Sequence, residues 1–304
     1  MKSKHISDRS ARDINQQVEK ILRGLGNPEP PLDVATVLEL LQLDKSYYTT
    51  DDDSVLREIT SRLMVAGKQI VKRPGLIIDV IKKFDLKALC IPDQKRIFID
   101  RDLPKLKHRW SEAHEIAHQF IPWHEDTMLG DDAHTLSKEC HAIVESEANY
   151  GAGQLLFMGN RFTQEASDYT PTFKHVLALK EIYGNTITST FWRFIESSHN
   201  ELPMFGIISD HPRYPQNASK LAKPYEYFIQ SKKFHAEFSQ VDPVSIYTQV
   251  VDCCGYGKWN IVGEGTIKVS NDNGQPFEFK VETFYNRYQA LTLGVEIGST
   301  SRFF

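Results

Sequence analysis

Two histidines four residues apart constrain this chain more than any other feature of its sequence. They are His114 and His118, in the pattern His-Glu-Ile-Ala-His. Side chains at positions i and i+4 of a helix project from one face, so two imidazoles can reach one tetrahedral metal ion. Glu115 lies about 100° round the same helix, where it can contact the water of such a site without having to ligate the ion. The pattern predicts a helix over residues 109–121 that carries two metal ligands and the general base Glu115.

A catalytic zinc site needs a third protein ligand, and the next helical segment, residues 138–158, offers two glutamates. Glu145 shares a helix face with Asn149, whereas Glu147 lies about 200° round from Glu145 and points away. Two glycines, Gly151 and Gly153, follow in the same segment, and each costs a helix about 1 kcal/mol, which indicates close packing there. We therefore expect Glu145 to be the third ligand, with Asn149 supporting the site from behind the ligands.

Shorter elements precede these two helices. Apolar residues recur at helical spacing from Ile14 to Leu25, and Asp33 is the expected N-cap of a second helix. Residues 88–91 and 96–99 are predicted to be short strands joined by a turn. Because the second of them comes just before the metal-binding helix, we expect the strand 96–100 to hold an extended substrate by edge pairing.

The character of the chain changes beyond a further helical region at 173–198. From residue 216 onward, β-branched and aromatic residues dominate, and the stretch 271–274 (Asn-Asp-Asn-Gly) stands between two strand-like runs, which is a hairpin signal. We therefore predict an α+β protein with two domains, residues 1–215 and a β-rich domain at 216–304.

The overall composition excludes several classes of protein. Lys and Arg total 36 against 40 Asp and Glu, a net charge of −4, which argues against a surface built throughout to bind phosphate. No apolar run reaches the ~18 residues of a membrane span, and the first residues lack the apolar segment of a signal peptide. Four cysteines in 304 residues do not make a disulfide framework. We expect a cytoplasmic protein with reduced thiols and no membrane association.

Taken together, the two helical motifs resemble the ImmA/IrrE family of zinc metallopeptidases. In that family an H-E-x-x-H helix is followed by a helix of the form E-x-x-A-N-x-x-A-x-x-L-L, which here spans residues 145–156. The similarity covers roughly residues 10–200. It departs from the family at residues 157–159 (Phe-Met-Gly), where a proline usually follows the apolar run, and this affects a helix end more than the metal ligands.

The resemblance implies a fold and a function. Residues 1–215 would be a zincin-like helical metallopeptidase domain with a small β-sheet, and 216–304 a GAF-like sensory domain. One Zn²⁺ per chain would be held by His114, His118 and Glu145, with Glu115 as the catalytic base. The substrate would be a helix-turn-helix transcriptional repressor, whose cleavage switches on a stress or defence response under the control of the C-terminal domain.

Two further expectations concern regulation. Cys90 lies in a predicted strand near the metal-binding helix, where a thiolate could block the open zinc position; a buried apolar cysteine is the plainer interpretation. In the C-terminal domain, aromatic and basic residues alternate at 225–234 and 285–288. Such residues either form sheet core and rim or bind a small molecule or single-stranded nucleic acid.

Alternatives remain open from the sequence. The main one is a non-cleaving, zinc-scaffolded regulator that binds a repressor or nucleic acid. The donor that would stabilise the oxyanion during peptide hydrolysis is equally open, since Tyr150, His124, His141 and His211 are all candidates.

Overall fold

The computed structural model describes residues 6–48, 88–91, 96–101, 105–124, 138–214 and 223–299, some of them by backbone alone. The chain divides into two compact units, Met1–Gly159 and Asn160–Phe304. Helices and strands occur in both units, which confirms the predicted α+β class. No helix within the described ranges is long and apolar enough to cross a membrane.

The longer described helices of the N-terminal unit lie where the sequence predicts them. They are α1 (Asp8–Gly24), α2 (Val34–Leu41), α3 (Lys105–Phe120) and α4 (Lys138–Leu156). At the start of α1, the Ser7 side chain accepts a hydrogen bond from the backbone N–H of Ser10 (3.0 Å), and Asp33 caps α2 in the same way through Ala35 (2.9 Å). These caps satisfy backbone donors that have no partner within the helix, so both helices begin at defined residues.

The described strands of this unit form a three-stranded sheet in the order β1-β3-β2. They are β1 (Asp44–Tyr48), β2 (Ala88–Ile91) and β3 (Arg96–Asp100). All five residues of β3 pair with β1 in parallel, and β2 pairs with the other side of β3 in antiparallel fashion. Both edges of β3 are therefore occupied, so the prediction that strand 96–100 holds a substrate by edge pairing is wrong. The outer strands among the described residues are β1 and β2.

The C-terminal unit has an antiparallel sheet of five described strands in the order β5-β4-β8-β7-β6. The strands are β4 (Met204–Ser209), β5 (Tyr227–Gln230), β6 (Asn260–Ser270), β7 (Pro276–Tyr285) and β8 (Ala290–Ser299). The helices are α5 (Asn160–Ser167), α6 (Phe173–Tyr183), α7 (Ile187–Ser197), α8 (Lys232–Glu237) and α9 (Pro243–Cys253). The predicted hairpin is β6–β7, which confirms the turn at 271–274.

Helices cover both faces of this sheet, which explains why every residue of β4 is buried. On one face, Phe205 contacts Phe234 of α8, with ring centroids 5.6 Å apart. Its neighbour Gly206 points to the other face, where an added Cβ would collide with Ile195 and Phe191 of α7. Alternation along a strand thus places one residue in each of two apolar layers.

The contacts divide the chain at a different place from the predicted boundary. Helices α5 to α7 belong to the same compact unit as the five-stranded sheet, whereas the predicted domain limits grouped them with α3. The reason is physical: α6 and α7 bury their aromatic side chains against the sheet, as in the stacking of Phe173 on Phe284 (5.0 Å). The domain limits 1–215 and 216–304 stay a prediction.

Candidate metal site

The site is built where α3 and α4 pack against each other. A glycine allows their close approach: a Cβ added at Gly151 would lie 3.1 Å from the Cβ of Ala117, which stands between the two motif histidines, and 3.1 Å from the Phe120 ring. On another side of α3, Glu112 accepts a hydrogen bond from the Lys45 ammonium group of β1 (3.0 Å). The helix with the histidines is therefore held both by α4 and by the small sheet.

Three donor atoms from these helices converge. The Nε2 atoms of His114 and His118 are 3.2 Å apart, and the Glu145 carboxylate lies 3.3 Å from the first and 3.6 Å from the second. Within the described residues this is the one group of three such side chains whose donor atoms all lie within 4.8 Å of one another. Metal–ligand distances of about 2.0–2.2 Å in tetrahedral geometry place two ligands about 3.3–3.6 Å apart. The three donors thus fit one face of a tetrahedral metal site.

Glu115 follows the first histidine and is 6% exposed. Burial raises the pKa of Glu115 to about 7, while the nearby His114 lowers it and Glu145 raises it. Burial also lowers the pKa of His114, but the hydrogen bond and charge of Glu145, with the charge of Glu115, outweigh this and raise it overall. A carboxyl group whose pKa lies near neutrality is suited to accepting and returning a proton.

Each histidine is held from behind through its Nδ1 atom. For His114 the partner is the amide oxygen of Asn149, 3.2 Å away. For His118 it is Nδ1 of His124 at 3.1 Å, and the Nε2 atom of His124 lies 3.1 Å from the carboxylate of Glu147. Asn149, expected behind the ligands, contacts His114, whereas the connection from His118 through His124 to Glu147 was not predicted from the sequence.

Glu147 is a buried carboxylate with several hydrogen-bond donors. The indole N–H of Trp123 donates to its Oε2 atom (2.7 Å). Burial alone would raise the pKa of Glu147, but hydrogen bonds from His124, Trp123 and Ser10 hold it below its ordinary value. Glu147 therefore contacts the site only through His124 and is not among the three converging donors.

The remaining predicted residues lie in different places. The Tyr150 hydroxyl donates to Asn15 (3.2 Å). His211 belongs to the other compact unit, where its Nε2 atom is 2.7 Å from the carbonyl oxygen of Gly257. His141 lies on α4 and Cys90 on β2, but both side chains are outside the described part of the structure. The regulatory role of Cys90 therefore stays a prediction.

A second cluster of interest lies in the C-terminal unit. We call it the aromatic–cation surface; it consists of Arg213, Tyr214, Tyr256, Lys258, Trp259 and Arg287. Three cations stand over exposed rings there: Arg213 over Tyr256 (5.7 Å), Lys258 over Tyr214 (5.8 Å) and Arg287 over Trp259 (4.7 Å). The three rings are 45–67% exposed.

Of the two stretches that the sequence pointed to, 285–288 contributes Arg287 to this surface, whereas 225–234 contributes no residue to it. Of the aromatic residues at 225–234, Tyr225 and Phe234 are buried in the core, at 6% and 0% exposure. These two rings belong to the core, whereas Tyr227 of the same stretch is 43% exposed.

Comparison with known proteins adds a family and a fold. Residues 69–188 match the sequence model of the IrrE N-terminal-like domain, peptidase family M78, and this range includes α3 and the converging donors of α4. No curated protein matches the chain in sequence. In structure, the chain is similar to a Mycobacterium tuberculosis transcriptional regulator, with a TM-score of 0.53 and 15% identity over 95% of this chain and 90% of that chain. At this identity the likeness shows the fold alone, whereas the sequence match confirms the resemblance seen in the two helical motifs. The family likeness of this chain therefore rests on residues 69–188, which match the IrrE N-terminal-like domain model of peptidase family M78.

Proposed function

We propose that this protein is a zinc-dependent endopeptidase that cleaves a helix-turn-helix transcriptional repressor. The observation that carries the proposal is the convergence of His114, His118 and Glu145 beside the buried carboxyl group of Glu115. The match of residues 69–188 to a metallopeptidase family supports a metal at this position.

Zinc is the metal that best suits these donors. Two imidazole nitrogens and one carboxylate oxygen form a three-ligand set used by catalytic zinc, which keeps a fourth position for water or substrate. When bound, zinc lowers the pKa of its water to about 7 and polarises the substrate carbonyl.

The chain's own residues supply the proton transfers and the orientation. Glu115 accepts the proton of the attacking water and then donates it to the amine that leaves when the peptide bond breaks. Its burial keeps bulk water from competing for that proton. Asn149 accepts a hydrogen bond from the Nδ1–H of His114, which directs the Nε2 lone pair of that imidazole toward the metal position.

The substrate and the regulation follow from the family resemblance. The fold neighbour is called a transcriptional regulator, which is in keeping with a role in gene regulation. A repressor is found where DNA is, so the proposal implies a cytoplasmic enzyme. Control by the C-terminal part, in a stress or defence response, belongs to the same proposal.

Metal content and cleavage, measured on the same preparations, test the proposal. Wild-type protein should hold about one zinc per chain and cleave purified helix-turn-helix repressors from the same genome. Glu145→Ala should lose most of the zinc, whereas Glu115→Gln should keep it and fail to cleave. Glu181→Ala, which removes an exposed carboxylate of α6, is the matched control and should change neither property. A folded wild-type protein without zinc, or a Glu115→Gln variant that still cleaves, would contradict the proposal.

A second candidate function is a non-cleaving, zinc-scaffolded regulator that binds a repressor or nucleic acid. The aromatic–cation surface favours it, because exposed rings beside Arg and Lys side chains are typical of proteins that stack the bases of single-stranded nucleic acid. If the protein is a cleaving enzyme, the same surface could bind the nucleic acid or small molecule that controls it.

Fluorescence anisotropy with a labelled oligo(dT) strand tests this second candidate. Loss of one stacking ring costs about 1–3 kcal/mol, so Trp259→Ala should weaken binding at least fivefold. Tyr227→Ala, an exposed tyrosine of β5 outside the cluster, should leave binding unchanged. Binding that does not weaken as salt is raised would reject phosphate recognition by this surface.

A further inference from the structure

We propose that Glu147 and His124 form a positioning pair that sets the tautomer and the orientation of His118, so that its Nε2 atom faces the metal with a lone pair. This inference rests on the metal site of the proposed function. Glu147 and His124 do not themselves ligate the metal. The inference therefore gives a role to Glu147, the carboxylate that helix geometry excludes as a ligand.

The direction of each hydrogen bond follows from the chemistry of the groups, beginning at Trp123. An indole N–H can only donate, so Oε2 of Glu147, at 2.7 Å from it, is an acceptor. The Nε2 atom of His124 is 3.1 Å from the same oxygen. A carboxylate that accepts at this oxygen requires a donor there, so the proton of His124 is on Nε2.

That placement fixes the next proton. The proposed arrangement has His124 as a neutral imidazole with its one N–H on Nε2, so that its Nδ1 atom is an acceptor. It lies 3.1 Å from Nδ1 of His118, and the proton between these two nitrogens therefore belongs to His118. His118 then has no proton on Nε2, the atom that faces His114 and Glu145. Any other tautomer of His118 would place a proton where a metal ligand needs a lone pair.

Burial makes the pair rigid. His124 is fully buried, and Glu147 and His118 are 4% and 6% exposed. A broken hydrogen bond here could not be replaced by water at low cost, so the three side chains keep one arrangement. A negative charge at the far end of such a chain also makes the ligating imidazole a better electron donor.

His114 shows the same principle with a simpler partner. Its Nδ1 atom contacts the neutral amide oxygen of Asn149 and not a second histidine. The two metal-binding imidazoles are thus oriented in the same sense, one by an amide and one by a buried carboxylate acting through His124.

Two measurements test the pair. The first is the tautomer of His118 in metal-free protein, read from long-range ¹H–¹⁵N NMR correlations of the imidazole. The second is zinc affinity, measured by competition with a chromophoric chelator. Removal of an outer hydrogen-bond partner of a ligand lowers metal affinity by about 10–100-fold, and we expect this for His124→Leu together with a loss of the Nδ1–H form of His118.

His124→Asn distinguishes positioning from packing. Its amide oxygen can accept at the place of Nδ1, so it should retain the His118 tautomer and most of the zinc affinity, although it fills the cavity less well than Leu. If His124 only filled space, His124→Leu should instead keep more of the zinc affinity than His124→Asn. His108→Leu, on the same helix as the ligands but outside the pair, is the matched control and should leave the affinity unchanged.

The outcomes separate this inference from the proposed function. If wild-type protein binds no zinc, the metal site itself is wrong. If wild-type protein binds zinc tightly but His118 carries its proton on Nε2 in the metal-free state, the positioning pair is wrong, and this result needs no variant to fold. Equal zinc affinities of wild type and a folded His124→Leu would overturn the pair in the same way.

Discussion

Replacement of Gly151 by alanine tests whether close helix packing sets the geometry of the site. The change would improve the intrinsic helix propensity of α4 by about 1 kcal/mol. Its new Cβ, however, would lie 3.1 Å from Ala117 Cβ and from the Phe120 ring, and 3.4 Å from Ile121. Carbon atoms prefer about 3.5–4.0 Å, so α3 and α4 must separate by several tenths of an ångström. Overpacking of this kind costs about 1–3 kcal/mol, and we expect a net loss of up to about 2 kcal/mol.

Gly153 provides the matched control two positions along the same helix. A Cβ there would be 3.8 Å from the Trp110 ring, an ordinary contact, so Gly153→Ala should gain the helix propensity without the collision. Thermal unfolding measures the difference, since 1 kcal/mol shifts the midpoint by roughly 2–4 °C in a unit of this size. The helix separation should also move Glu145 away from the two histidines, so Gly151→Ala should bind zinc more weakly than Gly153→Ala. Two variants of equal stability and equal zinc affinity would refute the argument that Gly151 sets the spacing.

Two further predictions concern the C-terminal unit. Gly294→Ala should lower the free energy of unfolding by at least about 2–3 kcal/mol, because its Cβ would fall 2.1 Å from the Phe205 ring, which is fully buried; a denaturation midpoint equal to that of the wild type would contradict this packing. Glu282→Ala should cost about 1–3 kcal/mol, because the carboxylate accepts the backbone N–H of Phe173 (2.7 Å) at the start of α6, where Thr172 provides no side-chain cap. Glu282→Gln retains an acceptor and should lose clearly less, and equal losses for Ala and Gln would show that the cap is unimportant.

The sequence was sufficient for features that depend on local periodicity. The two helices of the site, the Asp33 cap of α2 and the β6–β7 hairpin follow from patterns within short segments of the sequence. The same helical arithmetic predicted that Glu145 and Asn149 share a face, and in the structure both contact His114. Gly151 and Gly153 were both expected at close packing, and of the two only Gly151 lies at a tight contact.

Features that depend on contacts between distant parts of the chain could not be predicted from local periodicity. β3 was expected to be an edge strand because it precedes α3, but its partner β1 lies about fifty residues earlier, and no local pattern encodes that pairing. In the same way, Tyr225 and Phe234 stand in a stretch of sequence that is typical of a binding surface, but their side chains are buried in the core. Which aromatic residue is exposed depends on which helices cover the sheet.

The role of Glu147 shows where a correct geometric rule can mislead. The rule that residues two apart on a helix point about 200° away from each other excluded Glu147 as a metal ligand, and the converging donors indeed include Glu145 and not Glu147. The rule says nothing about the residues that follow α3, and these place His124 between Glu147 and His118. One helix, α4, thereby supports the Nδ1 atoms of both motif histidines: Asn149 contacts His114 directly, and Glu147 reaches His118 through His124. The proposed metal site thus extends beyond its three proposed ligands. Its outer members are found by asking which buried group satisfies the second nitrogen of each imidazole.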